Sequence, residues 1–98
     1  MLEDPAELRK RYLELTGERL PAQATPTWPV QADHCFQRIV LDTLFEAVWY
    51  DHIDGRPAYE QLSATQLRRA IEIARSMLDD PDRVAELNQA SLRYRGKL

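Results

Sequence analysis

Residues 33–52 hold both histidines of the chain, its single cysteine, and an arginine and an aspartate four positions apart. Arg38 could hold an anion, Asp42 could orient it and His34 could move a proton. Cys35 lies near the start of a predicted helix, where the helix dipole favours the thiolate form of a nucleophile. The alternative is structural, because Arg38 and Asp42 can form an intrahelical ion pair and a free cysteine is commonly buried. The segment therefore indicates either a polar site or a core helix.

The two histidines are too far apart in the sequence to share a metal ion on one helix. His34 and His52 are separated by eighteen positions, which on a continuous helix is about 27 Å at ~1.5 Å per residue. The HxxxH, HExxH and CxxC spacings typical of zinc ligands are missing from the sequence. We therefore predict neither a metal site nor a cofactor.

A second group of chemically capable residues follows at the end of the same predicted helix. Trp49 and Tyr59 offer aromatic rings with a polar tip, and Arg56 adds a second positive charge. Helix ends and their loops commonly carry binding sites, although aromatic residues also seal small cores. The candidate binding residues are His34, Cys35, Arg38, Asp42, Trp49, Arg56 and Tyr59.

Helical patterns and a proline-rich segment must position these side chains. A first helix is predicted over residues 5–16, with Gly17 as its stop. Residues 17–32 contain three of the six prolines and predict a loop that lies over part of the core. The broad apolar stripe of residues 33–50 predicts one uninterrupted central helix that is capped by Asp33.

Two more helices are predicted in the second half of the chain. Residues 63–66 read SATQ and form a capping box ahead of an amphipathic helix that runs to Leu78. Residues 79–82 read DDPD, which stops that helix and starts a last one that continues to Tyr94. Residues 57–62 predict a short helical turn. Because no alternating strand pattern persists, the predicted fold class is all-α: one four-helix domain over residues 1–98 with a Pro-rich covering loop.

Composition narrows the possible classes of function. The 98 residues are 44% hydrophobic and 30% charged, which is typical of a folded globular domain. A net charge of −3 argues against nucleic-acid binding, because phosphate neutralisation needs a cationic face. The sequence contains no apolar run near the ~20 residues that span a bilayer, and its start lacks a secretory signal. We therefore expect a cytoplasmic protein that does not insert into a membrane.

Three segments carry a resemblance to a known group of proteins. They are HCFQRIVLD at residues 34–42, RPAY at 56–59 and LNQASLRYRGK at 87–97. Together they resemble short bacterial proteins of unknown biochemical role, some of which bear the name GNAT-type N-acetyltransferase. The resemblance extends over most of the chain from Trp28 onward. The motif positions are His34, Cys35, Phe36, Arg38, Asp42, Trp49, Pro57, Ala58, Tyr59, Leu87, Asn88, Ser91, Leu92, Arg95 and Gly96.

This sequence departs from the resemblance in two places. GNAT-type enzymes are mixed α/β proteins with an RxxGxG or RxxGxA loop for acetyl-CoA, and the three glycines here, at 17, 55 and 96, form no such loop. The segment FEAVWYDHIDGR at residues 45–56 also differs from the group, so the resemblance implies no role for that turn.

Two hypotheses of function follow. The first is a small accessory or binding protein that engages a partner protein or a small anionic ligand where the central helix meets the turn at residues 55–60. A homodimer would fit the first hypothesis, because a domain this small gains from burying a broad apolar helix face. The rival is an enzyme of acyl or acetyl transfer that uses His34, Cys35, Arg38 and Asp42.

Overall fold

The computed structural model describes residues 4–97, and over that range the chain forms helices and turns without a strand. The predicted all-α fold with four helices is confirmed. Helix α1 starts as an α-helix at Pro5–Glu14, passes through a π-helical turn at Leu15–Arg19 and ends with Leu20–Gln23. The other helices are α2 (Asp33–Phe45), α3 (Ala64–Asp79) and α4 (Pro81–Tyr94), with 3-10 turns at Trp49–Asp51 and Ala58–Gln61.

Helix α1 is longer than predicted, because Gly17 does not stop it. A glycine inside a helix costs only about 1 kcal/mol, whereas Leu15 and Leu20 on either side of it are buried in the core. The π turn ends two residues before Pro21, which has no N–H for the helix and whose ring crowds the carbonyl of the preceding turn. The burial of Leu15 and Leu20 therefore carries α1 past Gly17.

The Pro-rich loop is shorter than the predicted 17–32, since the chain leaves α1 only after Gln23 and enters α2 at Asp33. It covers the core as expected. The rings of Trp28 and Phe36 form a T-shaped pair with 6.1 Å between their centroids, and Val30 is buried. The indole and the valine therefore cover one end of α2.

Helix α2 is the central element and packs against α1, α3 and α4. Its start and end both differ from the prediction. Ala32 is the N-cap, and Asp33, predicted as the cap, is the first helical residue with its Oδ1 accepting the N–H of His34 at 2.7 Å. The helix ends at Phe45 instead of residue 50, because Glu46 adopts the left-handed conformation with φ of 50°.

The remaining helices follow their local signals. Ser63 and Gln66 form both hydrogen bonds of the predicted capping box, at 3.1 and 2.9 Å. Asp80 caps α4 by accepting the N–H of Asp82 at 3.0 Å, and Pro81 occupies the first turn. No helix within residues 4–97 is long and apolar enough to cross a membrane.

Candidate functional site

A cleft of about 490 Å³ opens between α2, one side of α1 and the two 3-10 turns. This volume lies within the range of about 300–1,000 Å³ typical of ligand pockets. The residues that line it are Tyr12, His34, Gln37, Arg38, Leu41, Trp49, Arg56, Pro57, Ala58 and Tyr59.

The cleft brings together five of the seven candidate residues from the sequence, namely His34, Arg38, Trp49, Arg56 and Tyr59. The early end of α2 makes this possible. On a continuous helix Trp49 would lie about 16 Å beyond Arg38 along the axis. Because the chain turns at Glu46, the indole of Trp49 lies on the same cleft as the guanidinium of Arg38.

Arg38 is fixed from behind by α4. Its Nη1 donates to Oγ of Ser91 at 2.9 Å, and its Nη2 donates to Oδ1 of Asn88 at 2.7 Å. A guanidinium has five N–H donors, so these two hydrogen bonds leave capacity for an anion in the cleft. The alternative of an intrahelical ion pair between Arg38 and Asp42 is not formed, because both side chains reach α4 instead.

Asp42 lies behind the cleft as a fully buried carboxylate. Arg95 donates to it from Nε at 2.7 Å and from Nη2 at 3.3 Å, and Ser91 donates from Oγ at 2.6 Å. The backbone N–H of Trp49 completes the set at 3.0 Å. A buried carboxylate needs this many donors, because desolvation of an unsatisfied charge costs several kcal/mol. Asp42 therefore joins α2, the turn at Trp49 and α4.

Ser91 connects the two arginines through one hydroxyl group. Its O–H donates to Asp42 while its oxygen accepts from Arg38, so that hydrogen bonds run without a gap from Asn88 to Arg95. We call Asn88, Arg38, Ser91, Asp42 and Arg95 the polar network. It lies between two of the segments that carry the resemblance, at residues 34–42 and 87–97.

Asn88, Ser91 and Arg95 were not among the seven candidate binding residues, although the resemblance includes all three as motif positions. The sequence also carries a signal for Ser91, because this residue continues the apolar stripe of α4 at helical spacing from Val84 and Leu87. A polar residue on a buried stripe needs a hydrogen-bond partner. The sequence does not say where that partner lies.

Aromatic rings form the walls of the cleft. The rings of Tyr12 and Tyr59 are 6.2 Å apart, and the guanidinium of Arg56 lies 5.7 Å from the centre of the Trp49 ring. Burial raises the pKa of the Tyr12 phenol well above its usual range, and the nearby Tyr59 adds to the increase. Tyr12 is therefore a neutral phenol at physiological pH.

The charge of the lining is positive although the chain carries a net charge of −3. Arg38 and Arg56 line the cleft together with His34, and none of the lining residues in the described part of the chain is acidic. A concave surface with one sign of charge concentrates ligands of the opposite sign. The basic side chains of the cleft can therefore attract an anion, and its aromatic rings can cover the apolar part of that ligand.

Cys35 and the two histidines do not form a joint centre. Cys35 is half-buried against the core and is not among the lining residues. His34 is largely exposed, with Nδ1 3.5 Å from Oδ1 of Asp33. His52 stacks on Phe45 at 5.3 Å, away from the cleft. Residues 4–97 contain no group of three or more His, Cys, Asp or Glu placed to hold a metal ion.

Comparison of the chain with family models, curated proteins and solved structures finds no match.

Proposed function

We propose that this protein binds a small organic anion in the cleft between α2 and the two 3-10 turns. The observation that carries the proposal is the lining itself, in which two arginines and a histidine meet three aromatic rings and no described acidic side chain. Pockets for small molecules are mostly apolar and have a few fixed polar groups that set orientation. This combination favours a ligand with one charged end and an apolar body.

The cleft residues divide into a charged part and an apolar part. Arg38 supplies a positive charge whose direction is set by two hydrogen bonds to α4. Arg56, which is exposed and lies over Trp49, supplies a second charge at the rim. Trp49 and Tyr59 cover the body of the ligand. Each aromatic side chain offers a large contact area with few rotatable bonds, so its entropy loss on binding is small.

Binding agrees with this geometry better than acyl transfer does. Transfer through Cys35 would need its sulfur within reach of the group held by Arg38, and Cys35 does not line the cleft. Asp42, assigned to the same catalytic set, is occupied by Arg95, Ser91 and the Trp49 N–H. A protein partner, a homodimer and a cytoplasmic location stay predictions.

Thermal unfolding in the presence of chosen probes tests the proposal. Phenylacetate is expected to raise the melting temperature in a concentration-dependent manner, because a ligand of the native state stabilises it by mass action. Phenylacetamide, which has the same shape without the charge, is the control ligand and should give a smaller shift.

Two variants assign the shift to the cleft. Arg38→Gln should abolish the response to phenylacetate, and Arg56→Gln, at an exposed position, should reduce it without affecting folding. Arg69→Gln is the matched control, since Arg69 lies on the exposed face of α3 and pairs with Glu72. Equal shifts in all three variants, or equal shifts with the acid and the amide, would overturn the proposal.

A further inference from the structure

The positive charges of the cleft differ in how firmly they are held. Asn88 and Ser91, which hold Arg38, are 8% and 0% exposed. The second arginine, Arg56, and the imidazole of His34 lie on the rim and are exposed. A fixed charge loses little entropy when it binds an anion, whereas an exposed, mobile charge is screened and must be ordered. The cleft therefore offers one strong anion position, and that position is at Arg38.

We propose that the ligand is a monocarboxylate with an aromatic or aliphatic body, whose carboxylate binds Arg38 while its body lies against Trp49 and Tyr59. This inference rests on the proposed function and specifies its ligand class. The planar guanidinium matches the two oxygens of a carboxylate. A phosphate monoester carries about two charges and would call for a second fixed cation, which the rim arginine Arg56 does not supply.

Asn88 and Ser91 are positioning residues in this site, since they act through Arg38. The hydroxyl of Ser91 donates a hydrogen bond to the carboxylate of Asp42 at 2.6 Å, so the serine oxygen presents a lone pair to Nη1 of Arg38. Asn88 accepts from Nη2 in the same way at 2.7 Å. Both residues therefore set the plane of the guanidinium without neutralising its charge.

Calorimetric titration with three probes tests the ligand class. Phenylacetate should bind about tenfold more tightly than phenylacetamide, because only the acid forms a charge-assisted bidentate pair with Arg38. It should also bind more tightly than benzyl phosphate, because the second charge of the phosphate has no fixed cation in the cleft. Tighter binding of benzyl phosphate, still dependent on Arg38, would overturn the monocarboxylate and leave the proposed function standing. If none of the probes bound in an Arg38-dependent manner, both the monocarboxylate ligand and the proposed anion-binding function would be wrong.

Variants at Arg38 and Asn88 test the positioning role. Arg38→Lys keeps the positive charge but loses the planar set of N–H donors that matches a carboxylate, and should weaken phenylacetate binding about tenfold. Asn88→Ala should lower affinity for phenylacetate but not for phenylacetamide, whereas general damage to the cleft would lower both. Arg69→Lys, on the exposed face of α3 outside the cleft, is the matched control and should leave the affinity unchanged.

Asn88→Asp tests whether the positive charge of Arg38 binds the carboxylate of the ligand. The aspartate keeps an acceptor for Nη2 of Arg38 but neutralises the guanidinium, so phenylacetate should bind more weakly than it does to Asn88→Ala. If Arg38 does not bind the carboxylate, Asn88→Asp should keep the wild-type affinity for phenylacetate. That result, or an equal loss of acid and amide binding in Asn88→Ala, would overturn the inference.

Discussion

At the scale of single residues, Asp42 illustrates what spacing can and cannot predict. Arg38 and Asp42 are four residues apart, a spacing that places them on one helix face and permits an ion pair. Both instead turn to α4, where Arg95 binds Asp42 and Asn88 binds Arg38. Their polar character could be predicted from the sequence. Their partners lie about fifty positions away, and only the packing of α2 against α4 selects them.

Replacement of Asp42 by asparagine should destabilise the protein strongly. The variant breaks an ion pair in which Asp42 is 0% and Arg95 17% exposed. Loss of one partner of a buried pair costs about 3 kcal/mol or more in free energy of unfolding, and urea denaturation would measure it. Asp54→Asn at an exposed turn is the control, expected to change stability by about 0.5 kcal/mol or less. A loss below about 1 kcal/mol for Asp42→Asn would show that the polar network does not stabilise the fold.

The raised pKa of the Tyr12 phenol predicts a loss of stability in alkali. Because burial keeps the phenol protonated in the folded state, the unfolded chain loses this proton first, at its ordinary pKa of about 10. The contribution of this proton to stability is therefore complete below pH ~10 and decreases above it. Tyr12→Phe keeps the ring and removes the titration.

The difference in unfolding free energy between the wild type and Tyr12→Phe, measured from pH 8 to 11, isolates this group from other residues that titrate in both proteins. The difference should be constant up to about pH 10 and then shift in favour of the phenylalanine variant. A constant difference over the whole range would contradict the buried position of the hydroxyl.

At the scale of elements, helix boundaries set by local signals were predictable and those set by packing were not. The capping box of Ser63 and Gln66 begins α3 as predicted, since each partner lies within three residues. The end of α2 was not predictable, because Glu46 gives no stop signal. The turn there is held by Asp42, whose carbonyl accepts from Ala47 at 3.2 Å and whose carboxylate accepts from Trp49 at 3.0 Å.

Replacement of Glu46 by glycine should stabilise the protein. Glu46 has φ of 50° and ψ of 39°, a left-handed conformation that glycine adopts without a steric penalty. The expected gain in free energy of unfolding is about 0.5–1 kcal/mol. Glu46→Ala is the matched control, because it removes the same carboxylate and keeps the strain.

Chemical denaturation of both variants would decide the point. If Glu46→Gly were less stable than Glu46→Ala, the left-handed end of α2 would be wrong. The indole of Trp49 could then no longer be placed on the cleft by that turn.

At the scale of the whole molecule, the cleft exists because four elements of the chain meet. Tyr12 comes from α1, Arg38 from α2, and Trp49 and Tyr59 from the two 3-10 turns. Periodicity was sufficient to predict four helices and a central α2. The predicted continuous helix over residues 33–50 was wrong, and five of the seven candidate residues nevertheless line one cleft. The cationic lining of an acidic protein is a property of the assembled fold and appears in no single segment.

The most direct test of the proposed anion site is a titration with phenylacetate followed by ¹H–¹⁵N NMR. The chain has two tryptophans, of which Trp49 lines the cleft and Trp28 packs on Phe36 outside it, so each titration contains its own control. We expect saturable shifts of the Trp49 indole N–H and of amides at residues 34–41 and 56–59, with the Trp28 indole unchanged. Shifts that are absent there, or that centre on Trp28, would contradict anion binding in the cleft.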